Sequence, residues 1–96
     1  MKPYILSEAA EEDLLQIYIA GATEFGLDQA RRYHQRLHQA CEFLAENPLA
    51  APERSELSPP CRIHPAGSHI VIYRIRKHDI FILRVRHGRE DWTNPS

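Results

Sequence analysis

Arginine and histidine gather towards the end of this chain. The stretch from His69 to Asp91, HIVIYRIRKHDIFILRVRHGRED, holds Arg74, Arg76, Arg84, Arg86, His87 and Arg89, with Arg62 a little upstream. A guanidinium is always charged and presents its donors as a planar fork, which suits carboxylates and phosphates. An imidazole titrates near neutral pH and can give or take a proton there. A second grouping, His34, His38 and Cys41, is spaced by four and three residues. On a helix that spacing puts all three near one face. Metal sites normally need three or four convergent ligands, Cys41 also belongs to an apolar stripe, and the sequence places no further ligand. No metal and no cofactor are therefore expected. His64, His69 and His78 read as surface residues near turns. The chain has no G-x-x-x-x-G-K, G-x-G-x-x-G or G-x-S-x-G stretch, so nucleotide-cradling and serine-hydrolase readings lack support.

The elements that must position these residues divide into helices and then strands. Lys2 to Leu6 is short and apolar and suits a first strand. Ser7 is a good N-cap for a helix beginning at Glu8, and Glu8, Glu11, Glu12 and Asp13 then favour the positive end of its dipole. Ala10, Leu14, Ile17, Gly21 and Phe25 recur at three or four residues and make one apolar stripe. Gly26 suits the stop after that helix. Asp28 is a candidate cap for a second helix, whose stripe is Ala30, Tyr33, Leu37, Ala40, Cys41 and Leu44, with Pro48 just past its end. Gly26-Leu27 is so short that the two helices must form an antiparallel hairpin. Residues 47–60 hold four of the seven prolines and read as a surface loop inside one domain spanning residues 1–96.

The last third pairs as strands, and its register depends on which side chains it buries. A three-residue turn, Lys77-His78-Asp79, sets Ile75 opposite Phe81, Tyr73 opposite Leu83 and Val71 opposite Val85. That face is wholly apolar and suits packing on the helices. A two-residue turn would put Tyr73 against Arg84 and Val71 against Arg86, burying charge, so the longer turn is expected. The other face then alternates Ile70, Ile72, Arg74 and Arg76 with Ile80, Ile82, Arg84 and Arg86. Isoleucines between arginines on a face turned from the core suggest a partner that buries the one and pairs with the other.

Composition fits one modest globular domain: 96 residues, 43% hydrophobic and 26% charged. No apolar run approaches the roughly 20 residues that span a bilayer, and MKPYILSEAAEEDLL lacks the pattern of a signal peptide. A cytoplasmic protein with two reduced cysteines, Cys41 and Cys61, is expected. The net charge of -1 hides a division. Residues 1–56 carry five Lys/Arg and ten Asp/Glu, and residues 57–96 carry seven and three. The basic half points to an acidic partner, and the two halves can also complement each other.

The order of strand, two antiparallel helices, Pro-rich loop and antiparallel strands carries a resemblance. The residues that support it are Tyr4-Ile5-Leu6-Ser7 with Ala10 and Asp13-Leu14; Phe25-Gly26, Gln29-Ala30 and Tyr33; Leu44-Ala45 with Pro48; Ile72-Tyr73-Arg74; and Ile80 with Arg84 to Asp91. Over nearly its whole length the chain resembles the ParE toxins of the RelE/ParE superfamily, also called plasmid stabilisation proteins. The resemblance implies an α+β fold, a helical hairpin packed on a small antiparallel β-sheet. It implies the toxin of a type II toxin–antitoxin pair that inhibits growth by poisoning DNA gyrase. Its implied partner is a ParD-like antitoxin, whose ribbon-helix-helix part binds operator DNA, so the toxin meets that DNA only indirectly, and no membrane is involved. The antitoxin tail would cover the groove beside the helices and the face of Ile70, Ile72, Arg74, Arg76, Ile80 and Ile82. The implied target-binding surface is Arg84, Arg86, His87, Arg89 and Trp92.

RelE-like relatives of this superfamily instead cleave mRNA in the ribosome without metal, using lysines, arginines and a C-terminal Tyr or His. Such chemistry needs a proton donor and acceptor and cations around a phosphate. Arg62, Arg84, Arg86, Arg89 and His87 could supply these. Lysine is nearly absent, however, with only Lys2 and Lys77, and Trp92 stands where that pattern has Tyr. The sequence therefore favours a toxin that binds its target and is not an enzyme, with the ribonuclease as the alternative.

Overall fold

The computed structural model describes residues 4–89. The chain forms β1 (Tyr4–Leu6), α1 (Glu8–Phe25), α2 (Leu27–Glu46), a short 3-10 turn (Pro48–Ala50), β2 (Glu53–Arg54), β3 (Cys61–Ala66), β4 (His69–Ile75) and β5 (Ile80–His87). The strands make one sheet in the order β1-β5-β4-β3-β2. The two helices lie against one face of it, so the molecule is α+β and two layers thick. Its extents of 37 × 36 × 21 Å agree with one helix layer on one sheet. The sheet is mixed: β1 runs parallel to β5, and the other pairs are antiparallel.

Local chemistry explains the helix ends. Ser7 caps α1, its Oγ accepting from the Ala10 amide at 2.9 Å. Gly26 ends α1 at φ 93° and at once serves as the N-cap of α2. Asp28 falls inside the first turn of α2 and is not its cap. Its charge there still favours the helix dipole. Gly21 of α1 faces Ala30 of α2, where an added Cβ would make an ordinary van der Waals contact at 3.6 Å. The core joins Ala10 and Leu14 of α1, Leu37, Cys41, Leu44 and Ala45 of α2, and Val71, Tyr73, Ile80, Ile82 and Val85 of the sheet. Phe25, the last member of the α1 stripe, is 59% exposed. It stands at the hairpin tip, at the end of α1.

The Pro-rich segment is tied to the core by two side chains. Tyr73 Oη donates to the Pro48 carbonyl at 2.8 Å, and Arg62 Nη1 donates to the Ala51 carbonyl at 2.6 Å. This segment also contributes β2, which extends the sheet beyond β3.

Register in the last hairpin departs from expectation. Val71 does oppose Val85, but Tyr73 opposes Ile82 and Ile75 opposes Ile80, with a bulge between Ile72 and Tyr73. Leu83 is the extra residue, and the loop is four residues long, Arg76 to Asp79, closed by Arg76 N–H donating to the Asp79 carbonyl at 2.9 Å. A one-residue shift turns a strand over. Ile80 and Ile82 therefore face the core, 2% and 0% exposed, and do not belong to the Ile/Arg face. Phe81, assigned to the core by the simple register, lies on the opposite side of β5 from them.

Candidate functional site

Two surfaces carry the chemistry-bearing residues. The first is the sheet face that no helix covers among the described residues. On β4, Val71 and Tyr73 point to the core, so Ile70, Ile72 and Arg74 point away. Across from them stand Arg86, Arg84 and Phe81, paired with Ile70, Ile72 and Arg74 respectively. On the other side, Ile63 and Pro65 of β3 pair with Ile72 and Ile70. The result is an apolar strip with a basic border. At the hairpin end, the guanidinium carbons of Arg74 and Arg76 lie 5.4 and 4.5 Å from the Phe81 ring centroid, within cation–π range. Arg76 also grips Asp79 through two bonds of 2.7 and 2.8 Å, which holds the Asp79 carboxyl below its usual range.

The candidate target-binding residues do not form one patch. Arg84 turns to α1, where its Nε and Nη2 donate to Asp13 at 2.7 and 2.9 Å. The same carboxylate accepts the Val85 amide at 3.0 Å. β1 ends opposite Ile82, so Ser7 and Asp13 take over its role along the β5 edge. Ser7 N–H donates to the Ile82 carbonyl at 3.0 Å and Ser7 Oγ to the Leu83 carbonyl at 2.7 Å. Arg84 is thus part of an edge seal. Arg86 lies on the open face, while His87, one residue further, lies on the helix side. Arg89 is exposed just beyond the strand, and its amide donates to His87 Nδ1 at 3.1 Å. Trp92 lies outside the described residues.

The second surface is a cavity of about 750 Å³ between α1, α2 and the ends of β4 and β5. His69 and His87 sit on its floor with their ring centroids 5.3 Å apart. Tyr33 ties His69 to the β3–β4 turn. Its Oη accepts the Ser68 amide at 3.0 Å and lies 2.5 Å from His69 Nδ1. The Arg89 amide donates to His87 Nδ1, so neutral His87 carries its proton on Nε2. Ile17, Ala20, Phe25, Ala30 and the Tyr33 ring form the apolar walls. Arg32 and Arg36 stand at the rim with Glu24.

The His34, His38 and Cys41 grouping does not converge. Cys41 is in the core, its thiol pushed up to about 11 chiefly by burial. His38 Nδ1 lies 2.7 Å from Tyr4 Oη, and burial, then neighbouring His34, lower its pKa. Among the described residues no group of three His, Cys, Asp or Glu could hold a metal ion.

Sequence reasoning missed Asp13, Tyr33 and His69 as members of these sites. Their partners lie far along the chain, 72 residues in the case of Asp13 and Val85, and no local pattern announces such a pair. The sequence did contain one clue for Asp13, an acidic residue beside the apolar stripe that faces the sheet.

This architecture, a helical hairpin on one face of a five-stranded mixed sheet, has a counterpart among solved structures. A chain from the chromosomal ParDE TA system from P. aeruginosa superposes with a TM-score of 0.77, covering 91% of this chain and 96% of that one at 22% identity. The fold class is therefore the one found in that chain of a ParDE system. The model of the ParE toxin of the type II toxin–antitoxin system, parDE, matches residues 4–92. Toxin ParE1 of Mycobacterium tuberculosis is 36% identical over 89 residues, 92% of this chain and 91% of its own length. Toxin ParE1 of Caulobacter vibrioides is 36% identical over 87 residues, 91% and 90%. The chain belongs to the ParE toxin family of type II toxin–antitoxin systems.

Proposed function

We propose that this toxin acts in the cytoplasm by binding, inhibiting DNA gyrase without chemistry of its own, and that a ParD-like ribbon-helix-helix antitoxin neutralises it. The observation that carries the partner reading is the open sheet face. Ile70, Ile72 and Phe81 form an apolar strip beside Arg74, Arg76 and Arg86, a combination that an amphipathic acidic segment complements. The antitoxin tail lies on that face and links the toxin to operator DNA through its own DNA-binding part. Arg86, His87, Arg89 and Trp92 meet gyrase, and Arg84 supports them by holding the end of β5 to α1. The engagement of Arg84 by Asp13 and of His87 Nδ1 by the Arg89 amide favours this over phosphate cleavage, which needs such groups to converge on one phosphate.

Purified toxin should stop gyrase supercoiling or trap cleaved DNA, and should leave ribosome-bound mRNA intact. Codon-associated mRNA cuts that disappear in His87→Ala would overturn the reading. Ile72→Asp should stay folded and weaken antitoxin binding. Unchanged affinity in that variant removes the open face from the interface. Folded Arg89→Ala that remains fully toxic in cells removes Arg89 from the target surface.

A further inference from the structure

A cavity of about 750 Å³ lies between the helices and the ends of β4 and β5. Its walls are apolar, from Ile17, Ala20, Phe25, Ala30 and the face of Tyr33. Its polar lining is dominated by donors. Arg32 and Arg36 lie one helical turn apart on α2, so their side chains are neighbours about 5–6 Å apart at Cβ. Neither makes an ion pair among the described residues. His69 and His87 add two imidazoles. Among the described residues Glu24 is the only carboxylate in the lining. The volume lies within the range of about 300–1,000 Å³ usual for small-molecule sites, which combine apolar walls with a few polar groups that fix orientation.

We infer that this cavity is a binding site for a small amphipathic oxyanion, an aromatic ring or branched chain that carries a carboxylate or phosphate. The apolar body packs between Ile17, Ala20 and Tyr33, and the oxyanion meets the Arg32 and Arg36 guanidiniums. Those guanidiniums accept planar oxyanions bidentately. The site faces away from the open sheet face and lies in the groove beside the helices, which the resemblance also gives to the antitoxin tail, so the proposal concerns the toxin free of its antitoxin.

The full-length chain can be titrated with 3-phenylpropionate and with phenyl phosphate, following backbone amide shifts by NMR. Saturable shifts at Ile17, Gly21, Tyr33 and Ser68 are expected with one or both, and the stronger of the two identifies the preferred head group. Ala20→Trp, at an exposed wall position, should abolish the shifts by filling the cavity. Arg36→Glu should weaken binding about tenfold or more, the scale of a hydrogen bond to a charged group. Neutral 3-phenylpropanol should bind more weakly than the carboxylate by a similar factor. The proposal fails if inorganic phosphate alone reproduces the shifts, if Ala20→Trp leaves them unchanged, or if the neutral alcohol binds as well as the acid. It also fails if the probes bind only after residues 90–96 are removed, because the chain's own acidic and aromatic tail would then be the occupant.

Discussion

At the scale of single residues, Asp13 decides how β5 ends. Its carboxylate accepts from the Arg84 guanidinium and from the Val85 amide, and the two contributions differ in kind. Arg84 is 40% exposed on its side chain, and an exposed ion pair contributes about 0–1 kcal/mol. Val85 is 2% exposed, and a buried amide left without an acceptor costs about 1–3 kcal/mol. Asp13→Ala should therefore lower stability by about 1–3 kcal/mol in urea unfolding and speed hydrogen exchange at Val85. Asp13→Asn keeps an acceptor for that amide and should lose much less. Equal losses in both variants would mean that charge, not the amide, dominates. His38 makes a second residue-level case, through pH. Burial, then His34, lowers its pKa from the ordinary 6.5, against a smaller opposite pull from Glu42. The unfolded chain then binds the proton more readily, so the His38 contribution is complete above pH 6.5 and is lost as pH falls through the lowered value. The urea midpoint should drop between about pH 7.5 and pH 5.5, and His38→Gln should flatten that drop. A slope unchanged by the substitution would assign it to other groups.

At the scale of elements, turns and bulges set the faces that strands present. Gly67 and Ser68 join β3 to β4 in a two-residue turn, and Gly67 has φ 61°. A Cβ at Gly67 would stand 2.8 Å from the Tyr33 ring and hydroxyl. Gly67→Ala should thus destabilise by about 1–3 kcal/mol and displace Tyr33 from Ser68 and His69, visible as altered His69 ring signals by NMR. Signals that stay in place with a small loss would mean that the turn adapts. Much of this layer is legible in the sequence. Ser7 and Gly26 mark the ends of α1 through their own chemistry, and the helical stripes arise from a period that tertiary contacts then confirm. The bulge in β5 is not legible. Residues 80–83, Ile-Phe-Ile-Leu, are apolar at both parities, so either face satisfies the pattern, and Arg84 and Arg86 point to the wrong one. The bulge lets Ile80, Ile82 and Val85 all reach the core while Arg86 stays outside, a solution that a strict period of two excludes. Asp28 mimics a cap because Gly26 does both jobs, ending one helix and beginning the next. The parallel pairing of β1 with β5 is likewise hidden, since three residues carry no directional signal of their own.

At the scale of the molecule, the division of charge along the sequence becomes a division across its thickness. The two helices hold eight Asp/Glu and three Arg, whereas β4, β5 and their loop hold five Lys/Arg and one Asp. The layers stack along the 21 Å axis, which exceeds the Debye length of about 8 Å at physiological ionic strength. An approaching partner therefore senses the face in front of it, with the opposite face screened. An acidic antitoxin segment should be steered to the open sheet face. Its association rate should fall several-fold between about 0.05 and 0.5 M salt, with little change in dissociation, because steering acts on encounter more than on the docked complex. Arg86→Glu should lower the association rate and flatten its salt dependence. Glu8→Gln, on the first turn of α1, should leave both nearly unchanged at physiological salt. Stopped-flow mixing of toxin and antitoxin at several salt concentrations separates these terms. If Glu8→Gln, a charge change of +1, speeds association about half as much as Arg86→Glu, a change of −2, slows it, the partner senses net charge and not a face, and the open sheet loses its claim to guide the encounter.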